Sequence, residues 1–375
     1  MTTIDEYAAG FSDDAGYLDF ARFGPMGTAV LTEQAALSEI QARARYGSEA
    51  VFDEQDIRVR EAVSRVTGFA PEQVVFQPNT SMGLMHTMLG LSGGILMSSR
   101  EYPSLPVAAQ RAAQALHVLE PVFVDPPEGV MTPSVIRDAL TPAVTTVAVS
   151  LVDYATGYLA DLEGIRQVIG DRLLVVDAIQ GFGVVEAPFE LADVVVSGGQ
   201  KWVRAGWGTG FLALSDRAAG SIVPVVSGVA GTILEDGAAY DSVPPPLEGA
   251  AAFQVTRHDP IAQGRFATAL EGIADVGVGA INAIISDRVG RLIDTADEFG
   301  IPVASSRVET ERAGIVVLEP DPEQVTALQA ALINHEITAT RRNGRLRLSA
   351  HVCTGDATFE VLRGALTSFG SGLTY

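Results

Sequence analysis

Lys201 is the only lysine among the 375 residues, beside 24 arginines. Average usage would put roughly 20 lysines in a chain of this length. Arginine can replace lysine in a surface ion pair. It cannot replace lysine where a neutral amine must attack a carbonyl, because the guanidinium does not lose its proton in a protein. The chemistry that singles out an amine is Schiff-base formation with an aldehyde. Lys201 follows the apolar run Val194-Val195-Val196, through Ser197-Gly198-Gly199-Gln200, and precedes Trp202 and a second short apolar run, Phe211-Leu212-Ala213-Leu214. Ligands of open α/β sheets sit outside the carboxyl ends of strands. An apolar setting there lowers a lysine pKa and favours the neutral amine.

The neighbouring motifs extend that chemistry. Asp177 ends the apolar run Leu173-Leu174-Val175-Val176, two dozen residues before the lysine. A carboxylate there can keep a pyridine nitrogen protonated, which is the task pyridoxal 5′-phosphate (PLP) enzymes give to an acidic partner. Gln180 offers an amide to a phenolate oxygen. Asn79-Thr80-Ser81 opens a helical run, where hydroxyls and free N–H groups suit a phosphate. Tyr102, after the run Ile95-Leu96-Met97, presents a ring able to stack on a planar cofactor. In Arg345-Leu346-Arg347-Leu348-Ser349 the alternation puts both arginines on one face of a strand. Either suits a substrate carboxylate, and spacing does not decide between them.

The elements that must hold these residues follow from periodicity. Helical patterns run over 32–46, 53–67, 81–91, 104–116, 133–140 and 161–169. Strand-like runs fall near 73–76, 95–98, 118–124, 144–151, 172–177, 193–197 and 210–214. Such alternation predicts an α/β fold with a mostly parallel central sheet flanked by helices. The segment Val223 to Pro246 reads as loop. Beyond it come helices over 263–282 and 284–299, then strand 313–318, helix 322–334, strands 336–341 and 345–349, and helix 356–369, a smaller α+β C-terminal domain. The division expected is 15–255 for the large cofactor-binding domain and 256–375 for the small one, with residues 1–14 packed on the latter or on a partner chain.

Composition bounds the rest. A formal net charge of −21 argues against nucleic acid and anionic membranes. The start, Met1-Thr2-Thr3-Ile4-Asp5-Glu6, lacks a signal peptide's basic and apolar regions, and no apolar stretch reaches membrane-spanning length. A cytoplasmic location is the expectation. One cysteine and five scattered histidines offer no metal cluster and no intrachain disulfide.

Over almost its whole length the chain resembles the class V (cysteine desulfurase-like) aminotransferases of PLP-dependent fold type I. The resemblance is carried by Val175-Val176-Asp177-Ala178-Ile179-Gln180-Gly181, by Ser197-Gly198-Gly199-Gln200-Lys201-Trp202 and by Gly208-Thr209-Gly210-Phe211. It implies that Lys201 forms the internal aldimine and shuttles the α-proton. It implies that Asp177 pairs with the pyridinium nitrogen and Gln180 contacts O3′, and that Thr80, Ser81 and Gln200 contact the phosphate. Arg347 would hold the substrate α-carboxylate. A homodimer with active sites at the interface is implied too, with Gly231-Thr232 near the partner's phosphate site.

The chain also departs from the pattern. Tyr102 stands where desulfurases have a stacking histidine. Tyr154, in Tyr154-Ala155-Thr156-Gly157, stands where many members have an asparagine, as a substrate-site residue similar to the kynureninase branch. The stretch ahead of the arginine strand, Ile337 to Gly344, lacks the nucleophilic cysteine of a desulfurase, and Cys353 lies beyond that strand. The reading is therefore a PLP-dependent aminotransferase of a small amino acid. A lyase (C–S or kynureninase-like) or epimerase shares every step up to the carbanion, and a degenerate PLP-fold scaffold is the non-enzymatic alternative.

Overall fold

The computed structural model describes residues 2–126, 129–234 and 243–372. Part of the expected loop Val223 to Pro246 lies outside the described residues. Ten strands are present: β1 (Val74–Phe76), β2 (Gly93–Ser98), β3 (Leu119–Val124), β4 (Val144–Ser150), β5 (Leu173–Asp177), β6 (Val194–Gly198), β7 (Gly210–Leu214), β8 (Ile315–Leu318), β9 (Thr340–Arg342) and β10 (Arg345–Ser349). The first seven form one sheet in the order β1-β7-β6-β5-β4-β2-β3. Its pairs are parallel except those of β7, which runs antiparallel to both neighbours.

β5 and β6 open with unbroken apolar runs because helices cover both faces of the sheet. Val147, Val175, Val176, Val194 and Val195 are fully buried, each worth about 1.5–3 kcal/mol of transfer free energy. Asp177 ends β5 and Gly198 ends β6, so the carboxyl edge carries the polar residues that break the apolar runs. The lysine follows three residues beyond β6.

The smaller sheet is antiparallel, in the order β8-β10-β9. Its third strand differs from the expected 336–341. Leu18 donates to the Thr338 carbonyl and Ser349 to the Leu18 carbonyl, and Tyr17 and Asp19 bridge to Thr338 and Ser349. The first part of that run thus takes an N-terminal partner, and only Thr340–Arg342 pairs with β10.

The expected division at residues 15 and 255 also blurs. Residues 17–19 join the small sheet. The helix Pro260–Val276 packs on the helices Thr28–Ala42 and Ser48–Thr67, with Arg58 hydrogen-bonded to Glu271 and Thr268. Its Phe266 and Leu270 share a core with Phe76 and Phe211 of the large sheet. The break between the two long helices falls at Gly277, not near 283. Gly277 has φ 90°, a conformation open to glycine, while apolar residues on both sides keep the helical pattern unbroken.

Candidate active site

One cavity of 790 Å³ opens at the carboxyl edge of the large sheet, within the usual size of a small-molecule site. Lys201, Asp177, Gln180, Gln200, Thr80, Ser81, Tyr102 and Arg347 all line it. Residues from four strand ends and two distant parts of the chain therefore converge on one space.

Burial is the main force on the amine. Desolvation lowers the Lys201 pKa to about 8, opposed by the Asp177 carboxylate and reinforced by Arg347 and Arg342. Asp177 is 2% exposed. Its burial pushes the carboxyl up to about 6, while an N–H from Ile179 and the charge of Lys201 pull it down. A buried acid with one backbone donor is suited to a cationic ring nitrogen, which would offset the desolvation of its charged form.

The phosphate-like end is built by the helix Thr80–Gly90. Asn79 caps it, accepting the Met82 N–H at 2.9 Å, which leaves other first-turn N–H groups free. Thr80 Oγ1 is buried and without a partner, an orphan that calls for one. A Cβ on Gly198 would fall 3.1 Å from that oxygen and 2.5 Å from Gln200 Oε1. Glycine thus leaves a polar cradle open between Thr80 and Gln200. Ser81 Oγ lies 2.9 Å from Ser104 Oγ. These groups fit a phosphate.

Gln180 is held from two sides. Its amide donates to the Ala21 carbonyl and accepts from the Trp202 indole, both at 2.9 Å, leaving one N–H for a cofactor oxygen. Lys201 Nζ sits 5.5 Å from the Tyr102 ring centroid. Tyr154 stands outside the set of cavity-lining residues. Its ring meets that of Tyr102 edge-on at 5.2 Å, and its carbonyl accepts from Arg347 Nη1 at 3.0 Å. Tyr154 thus contacts both Tyr102 and Arg347, which line the cavity. Gly231 ends the 3-10 turn Val229–Gly231 and Thr232 Oγ1 donates to the Gly228 carbonyl; neither lines the cavity of their own chain.

The two arginines differ in what surrounds them. Arg347 is 6% exposed and lines the cavity. Arg345 is at the strand start, half-buried, and paired with Glu319. Several residues were missed in the sequence. Asp19 is buried 3.8 Å from Arg347 Nη2 and accepts from Thr340 Oγ1 at 2.7 Å. Arg22, Arg342 and Trp207 also line the cavity. The Asn343-Gly344 dipeptide, a hairpin signal, would have placed Arg342 opposite Arg345. Nothing local flags Asp19. Among the described residues no cluster of His, Cys, Asp and Glu is arranged to hold a metal ion.

Cys353 is away from the cavity. Its thiol donates to Asp13 at 2.7 Å and lies 3.0 Å from Arg204 Nη1. Burial and the Asp13 carboxylate raise its pKa to about 12 against the pull of Arg204.

Residues 24–251 match the model of the class V aminotransferase family. A probable cysteine desulfurase of Methanothermobacter thermautotrophicus is 27% identical over 250 residues, 63% of this chain. The chain spans 62% of that relative's length. The apo structure of a cysteine desulfurase from Thermococcus onnurineus superposes with a TM-score of 0.84 at 21% identity, covering 96% of this chain and 95% of that one. The cystine C–S lyase C-DES, in complex with its reaction product cysteine persulfide, gives 0.84 at 19% identity, covering 95% and 97%. A C-DES variant with glycine covalently linked to its PLP cofactor gives 0.85 at 18%, covering 95% and 96%. These solved structures share the fold.

Proposed function

The chain belongs to the class V aminotransferase family, whose enzymes use PLP, and we propose that it cleaves a C–S bond of a small sulfur-containing α-amino acid. The observation that carries the PLP-dependent part of this reading is the single lysine, buried and sharing one cavity with a buried acid and a buried arginine.

PLP supplies, when bound, an electron sink for charge developed at the substrate Cα. The residues of the chain do the rest. Thr80, Ser81 and Gln200 would hold the phosphate, and Asp177 would keep the ring nitrogen protonated. Arg347 takes the α-carboxylate with its planar fork, braced by Asp19 and the Tyr154 carbonyl. Lys201, as a neutral amine, removes the α-proton and holds it as an ammonium. The Tyr102 ring, 5.5 Å from Lys201 Nζ at its centroid, would stack on the cofactor ring.

Proton removal alone does not separate elimination from transamination, the reading that the sequence favoured. One observation supports C–S cleavage, and a second excludes its protein-persulfide form. The similar proteins named above are desulfurases and a C–S lyase. The sole cysteine is held outside the cavity with its thiol protonated, so a desulfurase route through a protein persulfide has no nucleophile. In β-elimination the Cα–H and Cβ–S bonds break and the sulfur leaves as a thiol or persulfide. Water then converts the three-carbon fragment to pyruvate and ammonia. No protein thiol is needed.

The test is to incubate the PLP-loaded protein with L-cystine or L-cysteine in the absence of any keto acid. Pyruvate, ammonia and the sulfur product (cysteine persulfide from L-cystine, hydrogen sulfide from L-cysteine) in equal amounts support elimination. A strict requirement for a keto-acid acceptor overturns it in favour of transamination.

A further inference from the structure

β9 and β10 are joined by a two-residue hairpin turn, Asn343-Gly344, both at positive φ (49° and 78°). This is the turn geometry that two-residue hairpins favour. It fixes the register: Arg342 stands opposite Arg345, and Thr340 opposite Arg347. Residues two apart on a strand, and residues directly across, share a face. Arg342, Arg345, Arg347 and Thr340 therefore lie on one face of the small sheet. Like charges directly opposite each other are destabilising. Arg345 is neutralised by Glu319, and Arg347 has Asp19 nearby. Arg342 has no ion pair among the described residues, although the chain carries 46 acidic side chains against 25 cationic ones.

An exposed arginine without a carboxylate is ordinary by itself. This one lines the cavity. Its guanidinium carbon lies 5.8 Å from the Tyr102 ring centroid and 5.1 Å from that of Tyr154. Lys201 Nζ lies 5.5 Å from the same Tyr102 ring. Arg342 thus rests on two aromatic rings, a placement that holds a cation without neutralising it. Arg22, on the segment that carries Asp19, also lines the cavity with no ion pair among the described residues. Asp177 is the only acidic side chain among the lining residues.

We infer that Arg342 binds a second anionic group, a carboxylate or sulfonate, on the side chain of the substrate, while Arg347 takes its α-carboxylate. The inference rests on the reading that the cavity takes an α-amino acid. The substrate class is then an S-substituted cysteine whose leaving group carries a negative charge. The anion forms charge-assisted hydrogen bonds with the guanidinium and neutralises it.

The experiment compares two ligands of nearly equal size, S-carboxymethyl-L-cysteine and S-carbamoylmethyl-L-cysteine. Their dissociation constants are measured from the amplitude of the cofactor's absorbance change in the first milliseconds after mixing, before turnover, on the PLP-loaded protein and on Arg342→Gln and Arg342→Lys. Wild type should prefer the carboxylate by roughly tenfold or more. Arg342→Gln should bring the ratio near one. Arg342→Lys should fall between, keeping the charge but losing the fork. The thermal midpoint of Arg342→Gln should be nearly unchanged, because Arg342 is exposed and no ion pair is lost. If both ligands bind with a ratio near one in wild type, or the ratio survives in Arg342→Gln, the inference is overturned alone. If Arg342→Gln melts several degrees lower, Arg342 is structural and the inference is again overturned. If neither ligand binds wild type, the α-amino-acid reading falls, and the inference with it.

Discussion

Cys353 donates its thiol hydrogen to the Asp13 carboxylate at 2.7 Å, with the Arg204 guanidinium 3.0 Å from the sulfur. Arg204 is 1% exposed, ion-paired to Asp13 at 2.5 Å, and stacked on the Phe11 ring at 3.8 Å. The N-terminal segment, the turn after Lys201 and the C-terminal part of the chain meet at this cluster. The cysteine belongs to a structural joint, and its thiolate is disfavoured.

Replacing it should therefore leave turnover intact. Cys353→Ser keeps a donor to Asp13, so activity should stay within about threefold of wild type, since the thiol touches no reacting atom. Intact mass after turnover should show no added sulfur on the wild-type chain. A drop in kcat beyond roughly 100-fold, with the melting temperature retained, would return a nucleophilic role to Cys353.

The lysine gives a direct chemical readout. Treating the protein with PLP and borohydride should add one reduced pyridoxyl-phosphate mass, mapped to Lys201, and Lys201→Arg should abolish that adduct while keeping the fold. The rate of capture by the cofactor-free protein should depend on pH in a defined direction. Below about pH 8 the amine is mostly ammonium, and the rate should rise about tenfold per pH unit. Above it the rate should level off. A free lysine side-chain analogue levels only near pH 10.4. A rate that keeps climbing through pH 10 would mean that Lys201 is not desolvated as the structure places it.

How much of this was legible depended on the range of the interaction that decides each feature. β4 to β7 were legible because burial on both faces writes itself as short apolar runs, and Asp177 and Lys201 because each interrupts such a run at a strand end. Arg345 and Arg347 were not separable, since period-two alternation puts both on one face and only Glu319 and Asp19 distinguish them. Asp19 acts on residues more than 300 positions away, and no local pattern carries that. The Thr338 pairing with the N-terminal segment was hidden for the same reason.

Asp19 offers the next test. Its carboxylate lies 3.8 Å from Arg347 Nη2 and accepts Thr340 Oγ1, with both ion-pair partners buried. Asp19→Asn keeps the shape and removes the charge that orients Arg347. The expected result is a KM for the amino acid raised roughly tenfold with kcat within about threefold, the pattern of lost uniform binding. Equal falls in kcat and kcat/KM, with KM unchanged, would place Asp19 in the chemistry itself.

Glu101 links stability to pH beneath the site. Its carboxylate accepts the Ser150 backbone N–H at 3.1 Å and the Ser150 hydroxyl at 2.5 Å. Burial pushes its pKa from 4.5 up to about 7, only partly opposed by those hydrogen bonds. The folded protein therefore holds a proton on Glu101 that the unfolded chain has released between about pH 4.5 and 7. Stability falls wherever the native state binds more protons than the unfolded state, so this group makes the protein less stable as pH rises through that window. The full effect is about 3 kcal/mol, from the pKa difference at about 1.4 kcal/mol per unit. Glu101→Gln keeps an acceptor for the Ser150 N–H and cannot ionise. Its unfolding free energy relative to wild type should rise between pH 5 and pH 8, with a higher melting temperature at the alkaline end. Parallel stability curves for variant and wild type across that range would mean that Glu101 titrates as an ordinary carboxylate and that its burial carries no such penalty.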